Sequence, residues 1–298
     1  MQHEPRENLL LEAGYLANLS HHLTAGDLTI NQVPPDRLGP GNAQVRRPFP
    51  QFSNVSVVNP PVGNSTYHAL YLKTEKRYAA GLTFLAHYTF SKFIDDVASF
   101  SEYGDPGSYM DAYNRRLDKS LSGNDVRHRA VISAVYELPF FRGQSALSAL
   151  LGGWKTGVLV NSQSGPPFTV SNSSNTTNAF SAGALRPDLV GDPKLPETER
   201  TLGRWFNTDA FRPRAPFRFG NSPRSVLRGP GINNVDFSLL KIFSITERWK
   251  AEFRGEFFNL FNHTNFGLPA HSLGVPAFGI ISGARASRSI QLGLRISF

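Results

Sequence analysis

Polar and apolar residues alternate without a slip from Arg288 to Phe298, RSIQLGLRISF. Ile290, Leu292, Leu294, Ile296 and Phe298 fall on one face, and Ser289, Gln291, Gly293, Arg295 and Ser297 on the other, which is the period-2 pattern of a β-strand. The same pattern predicts eight strands in all: residues 6 to 18, 66 to 77, 81 to 93, 126 to 138, 153 to 165, 233 to 244, 248 to 261 and 286 to 298. The clearest is GLTFLAHYTFSK, where Leu82, Phe84, Ala86, Tyr88 and Phe90 alternate with Thr83, Leu85, His87, Thr89 and Ser91. In WKAEFRGEFFN, Lys250, Glu252, Arg254 and Glu256 share one face opposite Trp249, Ala251, Phe253 and Phe257.

Such strands suit a soluble sandwich, with the charged face outside, or a membrane wall, with the charged face in the lumen and the apolar face on lipid. Periodicity leaves both open; the connections separate them. They alternate long and short, with long segments near 19 to 65, 94 to 125, 166 to 232 and 262 to 285. Outer-membrane barrels have short periplasmic turns and long extracellular loops, whereas a sandwich has no reason to put every long loop at one end. The expected fold is therefore all-β, an antiparallel transmembrane β-barrel wall. A final strand of about ten residues is long enough to cross the hydrocarbon when tilted. On this reading Tyr88 and Phe90 sit near the outer rim, and Tyr136, Trp154, Phe243 and Trp249 near the periplasmic rim, as an aromatic girdle. Lys241 is out of place, since its parity matches Val235, Phe237 and Leu239 on the apolar face; either it snorkels at the rim or the strand carries a bulge. Lumen candidates are Arg127, Arg129, Glu137, Lys250, Glu252, Arg254 and Glu256, whose mixed signs suit a salt-bridged inner wall or contact with a plug.

Composition agrees with this picture. No run of eighteen apolar residues occurs, which excludes a spanning helix but not a barrel. Cysteine is absent, removing disulfide frameworks and thiolate metal sites. The formal charge of +8 suits loops lying against an anionic membrane surface as well as it suits nucleic acid. The first residues, MQHEPRENLLLEAGYLAN, have no apolar stretch of the kind a signal peptide needs, so the chain is expected to be a fragment of something longer.

Six segments carry a resemblance: NSTYHALYLKTEKRYAAGLTFLAHYTFSKFIDD, DVRHRAVISAVYELPF, LLGGWKTGVLVNSQSGPPFTV, RWFNTDAF, RGPGINNVDFSLLKIFSITER and AEFRGEFFNLFNHTNFG. Together, in this order and spacing, they resemble the C-terminal barrel of TonB-dependent receptors of the Oar-like type, which pair a carboxypeptidase-regulatory-like domain with a large barrel. The resemblance implies a whole barrel of about 22 strands, of which this chain would supply roughly the last third. It also implies a plug domain, a TonB box and a signal peptide outside this chain, and uptake across the outer membrane driven through TonB. A terminal amphipathic strand closing on Phe298 resembles the signal read by the barrel-insertion machinery. The other implied partners are outer-membrane lipid and lipopolysaccharide. The rival reading is a self-contained eight-stranded barrel acting as an adhesin.

Candidate chemistry is sparse. Between residues 203 and 228, six arginines interleave with Trp205, Phe206, Phe211, Phe217 and Phe219, the ingredients for gripping a phosphate backbone, but no nucleic-acid-binding motif accompanies them. The simpler reading is an external loop whose arginines pack on aromatic faces or meet lipopolysaccharide phosphates. Asp95, Asp96, Glu102, Asp105, Asp111 and Asp118 cluster without EF-hand spacing and read as a solvated polar loop beside Arg115 and Arg116. His21 and His22, and His263 and His271, lack zinc spacing, and no serine has a nucleophile-elbow context. No enzyme, cofactor or metal is expected. GQSALSALLGG, residues 143 to 153, reads as a short helical turn or an irregular linker at the periplasmic rim.

Overall fold

The computed structural model describes residues 1–97, 109–140, 146–180 and 185–298. Nine strands follow one another in chain order across a single antiparallel wall. They are β1 (Gln2–Arg6), β2 (Leu9–Leu23), β3 (Gly63–Ala79), β4 (Leu82–Asp95), β5 (His128–Glu137), β6 (Trp154–Gln163), β7 (Ile232–Ser244), β8 (Lys250–Phe258) and β9 (Ser289–Ser297). A tenth, Ser120–Leu121, adds to the loop-side end of β4. Each strand pairs with its sequence neighbour, as a meander demands, and β1 and β9 do not pair with each other.

All eight expected strands are present within a few residues, and one more precedes them. QHEPR carries no period-2 pattern and is not among the expected strands; it becomes β1 because an edge strand needs hydrogen bonds on one side only. Pro5, which has no N–H to donate, lies where the β1–β2 register shifts, between His3 and Arg6. The expected first strand, 6 to 18, is accordingly split: Arg6 ends β1 and β2 runs on to Leu23. Tight turns close the short end of the wall. Between β3 and β4, Ala80 and Gly81 take φ of 51° and 81°, the left-handed pair that lets a two-residue hairpin follow the strand twist.

The ladders running from β6 through β7 and β8 to β9 have no register shift. Strand β7 therefore has no bulge, and Lys241 does lie on the apolar face, flanked in register by Trp154 and Phe253. It neither snorkels nor reaches water: it is 2% exposed. Its ammonium donates to the carbonyls of Leu150 (3.0 Å) and Gly152, at the C-terminal end of a six-residue helix, α1 (Ala146–Leu151). Terminal helix carbonyls lack intrahelical partners and carry partial negative charge, so a buried cation there is compensated. The rings of Trp154 and Phe243 complete its enclosure, 5.6 and 4.9 Å from the ammonium.

The long connections leave β2, β4, β6 and β8, and antiparallel pairing puts all four at the same end of the wall. There they hold most of the buried residues. Phe168, Val170, Phe206, Ala210, Phe211 and Leu227 form the main apolar core, with Ala25 and Tyr109 centring a smaller cluster. Two-residue ladders knit this cap: Pro167–Phe168 with Leu227–Arg228, Asp188–Leu189 with Phe211–Arg212, and Ser171–Asn172 with Ser272–Leu273. The wall, by contrast, leaves most of its large side chains exposed.

Candidate functional site

The alternation along each strand, carried across the continuous registers, divides the wall into two faces. On one lie Tyr88 and Phe90 of β4, Tyr136 of β5, Trp154 of β6, Phe243 of β7, and Ile290, Leu292, Leu294 and Ile296 of β9. The terminal strand's apolar residues are 54 to 70% exposed, a row of large side chains with no protein against it. Towards the short-turn end this face is aromatic. Trp154 meets Phe243 and Phe253 edge-on at 6.4 and 6.1 Å, and Trp249 packs against Phe298 at a tilt, 5.1 Å between centres. Nearer the cap the aromatic groups are paired with histidine: Tyr15 hydroxyl with His68 Nδ1 at 2.5 Å, and Tyr88 hydroxyl with His128 Nδ1 at 2.7 Å. Sequence reading missed Tyr15, His68 and His128, because each acquires its partner only through register.

The opposite face carries the charges. Arg129, Glu137, Glu252, Arg254, Glu256 and Lys250 all fall on it, and Arg127 continues its parity just before β5. Opposite signs are neighbours: Glu137 with Lys155 at 2.7 Å, and Arg254 with Glu252 at 3.1 Å and Glu256 at 3.9 Å. Glu12 accepts from the Tyr71 hydroxyl at 2.8 Å, and Lys73 pairs with Glu75 at 2.7 Å. Half-exposed pairs of this kind contribute little to stability; they mark this face as hydrated.

Where the cap meets the charged face, the acidic and basic stretches prove to be two halves of one assembly. Arg186 pairs with Asp118 at 2.5 Å, both essentially without exposure, and also donates to the carbonyls of Ser222 and Leu117. Arg224 pairs with Asp95 at the end of β4, and Arg228 with Asp125. The second oxygen of Asp118 and of Asp125 accepts from the backbone N–H of Met110 and of Phe93, so these carboxylates are held from two sides. Burying such charges is tolerable only with this degree of pairing. The expected solvated acidic loop is thus corrected for Asp95, Asp111 and Asp118, which are buried; Glu102 and Asp105 lie outside the described residues. The expected outward-facing arginine loop is corrected for Arg214, Arg224 and Arg228, which turn inward; Arg200, just before that stretch, lies over an aromatic face, 5.6 Å from the centre of Trp205.

Asp111 shows the electrostatics of the cap. Burial pushes its carboxyl above the usual aspartate range, opposed by hydrogen bonds from the Tyr113 backbone and the Gln32 side chain, the latter at 3.0 Å. Gln32 comes from the connection after β2, so this contact ties a third loop into the cap. Among the described residues, no group of three or more potential metal ligands occurs.

A family model described as "Outer membrane beta barrel domain" matches residues 1–291. The chain belongs to the outer membrane beta barrel domain family. Its antiparallel strands are then outer-membrane strands, and the protein is an outer-membrane protein. No curated protein matches the chain. Among solved structures, the outer membrane transporter YddB from Escherichia coli is similar, with 8% identity and a TM-score of 0.48. The match covers 99% of this chain and 31% of YddB, so this barrel-domain chain spans about a third of that transporter's length.

Proposed function

We propose that this chain is the C-terminal part of the wall, with its extracellular cap, of an Oar-like TonB-dependent outer-membrane receptor. The observation that carries this reading is the wall itself: nine strands in unbroken order, open at both edges, crowned by a single interlocked cap at one end. Unpaired edges in a bilayer leave backbone groups without partners, so such a wall calls for further strands to complete it. The apolar face then meets lipid, with the Trp154, Phe243, Trp249 and Phe298 cluster as the periplasmic belt and Tyr88 and Phe90 in the outer one. The paired charges of Glu137, Glu252, Arg254 and Glu256 face the lumen, where a plug domain would pack. Lipopolysaccharide meets the exposed rim of the cap, and Phe298 ends the strand that the insertion machinery reads. The chemistry is binding and passage, with no bond made or broken. Energy from TonB would act on the plug, and the chain alone is not competent for uptake.

The test is the mass of the native polypeptide in outer-membrane fractions of the source cells, detected with an antibody against residues 262 to 285. A band far above 32.9 kDa is expected. A band at 32.9 kDa would replace the receptor reading with the small-barrel adhesin. Replacing Phe298 by serine in the native polypeptide should lower its abundance in that fraction; unchanged abundance would remove the insertion-signal role.

A further inference from the structure

A cavity of about 360 Å³ lies where the cap meets the charged face of the wall, within the size range of small-molecule sites. Its cationic lining comes from three separate parts of the chain. Arg127 approaches from the start of β5, Lys194 and Arg200 from the middle of the connection after β6, and Arg228 from the end of that connection. Among the described residues, Glu197 is the acidic member of the lining. Two of the four cations are already engaged: Arg228 pairs with Asp125, and Arg200 lies 4.0 Å from Glu197 and over Trp205. Arg127 and Lys194 are exposed at the cavity and, among the described residues, have no ion-pair partner. The rest of the lining is largely apolar, including Trp205, Leu195 and Leu227.

From this we infer that the cavity binds a small organic anion, a carboxylate-bearing molecule with an apolar or ring-containing body. Arg127 and Lys194 take its charge, and the Trp205 side of the cavity takes its body. The cavity is bounded by rigid elements: Leu227 belongs to the main apolar core, and the Trp205 indole N–H is fixed by donating to the Arg228 carbonyl at 2.9 Å. A preformed site of this kind loses little entropy on binding. The assignment rests on the receptor reading, for which it names the substrate class.

The experiment uses the native full-length polypeptide purified from outer membranes in detergent, with naphthalene-2-carboxylate as probe and naphthalene-2-methanol as its neutral counterpart. Binding is followed by calorimetry and needs no TonB. The carboxylate should bind at least tenfold more tightly than the alcohol. The double variant Arg127→Gln/Lys194→Gln should abolish that preference, and Arg127→Lys/Lys194→Arg should keep it. The control Lys250→Gln, at the opposite end of the wall, should also keep it. Equal binding of the two probes, or a preference that survives loss of both charges, would overturn the site. A polypeptide mass of 32.9 kDa would overturn the receptor reading and leave the binding result standing.

Discussion

The wall and the cap are held together by different physics, although one chain builds both. The wall has long backbone ladders and almost no protein core: its apolar face is exposed, and its polar face carries half-exposed ion pairs. On the proposed receptor reading, lipid supplies the apolar partner that soluble folds find in a second layer. Among the described residues the cap has two-residue ladders, and it encloses a phenylalanine cluster and the fully buried Arg186–Asp118 pair. A wall built from backbone hydrogen bonds tolerates side-chain change; a cap built from interlocked side chains does not. Substitutions should therefore be felt in proportion to how much side-chain burial they disturb, and mostly at one end of the molecule.

The sharpest way to break this contrast is Arg186→Met, which leaves Asp118 charged and buried without its partner. The cap should lose about 3–5 kcal/mol, seen as rapid protease cutting in the connections after β4 and β6, while the unboiled protein keeps the gel mobility of a folded barrel. If barrel mobility is lost as well, cap and wall are one cooperative unit. Phe206→Ala comes next. Phe206 touches Phe168, Phe211 and Phe278, with ring centres 5.2 to 5.8 Å apart, and truncation should cost the cap about 3 kcal/mol by the same protease readout. Lys241→Met tests a tightly enclosed polar contact at the wall's short-turn rim. It should loosen α1 by about 2 kcal/mol, raising hydrogen exchange at 148 to 152 and leaving the cap unchanged.

Glu252→Gln on the charged face should change stability by less than about 1 kcal/mol, the ordinary worth of a half-exposed pair; a larger loss in thermal unfolding would show that the wall also depends on its charges. The smallest effect belongs to Asp111. Its carboxyl is raised by burial, so the protonated form favours the folded cap. That contribution is complete below the ordinary aspartate range and is lost as pH rises through the raised value. Asp111→Asn keeps the acceptor oxygen and removes the charge. Relative to it, the unsubstituted cap should become less protease-resistant as the pH rises from acid towards neutral; parallel profiles would mean that Asp111 titrates normally.

How much was legible differs between the two regions for a physical reason. β4, β8 and β9 could be read from the sequence because the side-chain period of a strand is local, and a strand with one polar and one apolar face must alternate. Lys241 broke that rule and raised a bulge as an alternative; the continuous register and the carbonyls of Leu150 and Gly152 explain it instead. β1 was not legible, because its five residues, QHEPR, carry no alternation and include a proline, and they become a strand only by pairing with β2. In the cap, both halves of the assembly were visible as compositions, an acidic stretch and an arginine-aromatic stretch, yet their pairing was not. Asp118 and Arg186 are 68 residues apart, and Asp95 and Arg224 are 129 apart.

By itself, then, the sequence determined an all-β wall with long loops at one end and one apolar face, because alternation and loop length act over a few residues. Only the tertiary structure decided which charges are buried, which arginine meets which aspartate, and where a cavity opens between cap and wall. Those contacts join distant segments, and a period-2 pattern carries no information about partners brought together by folding.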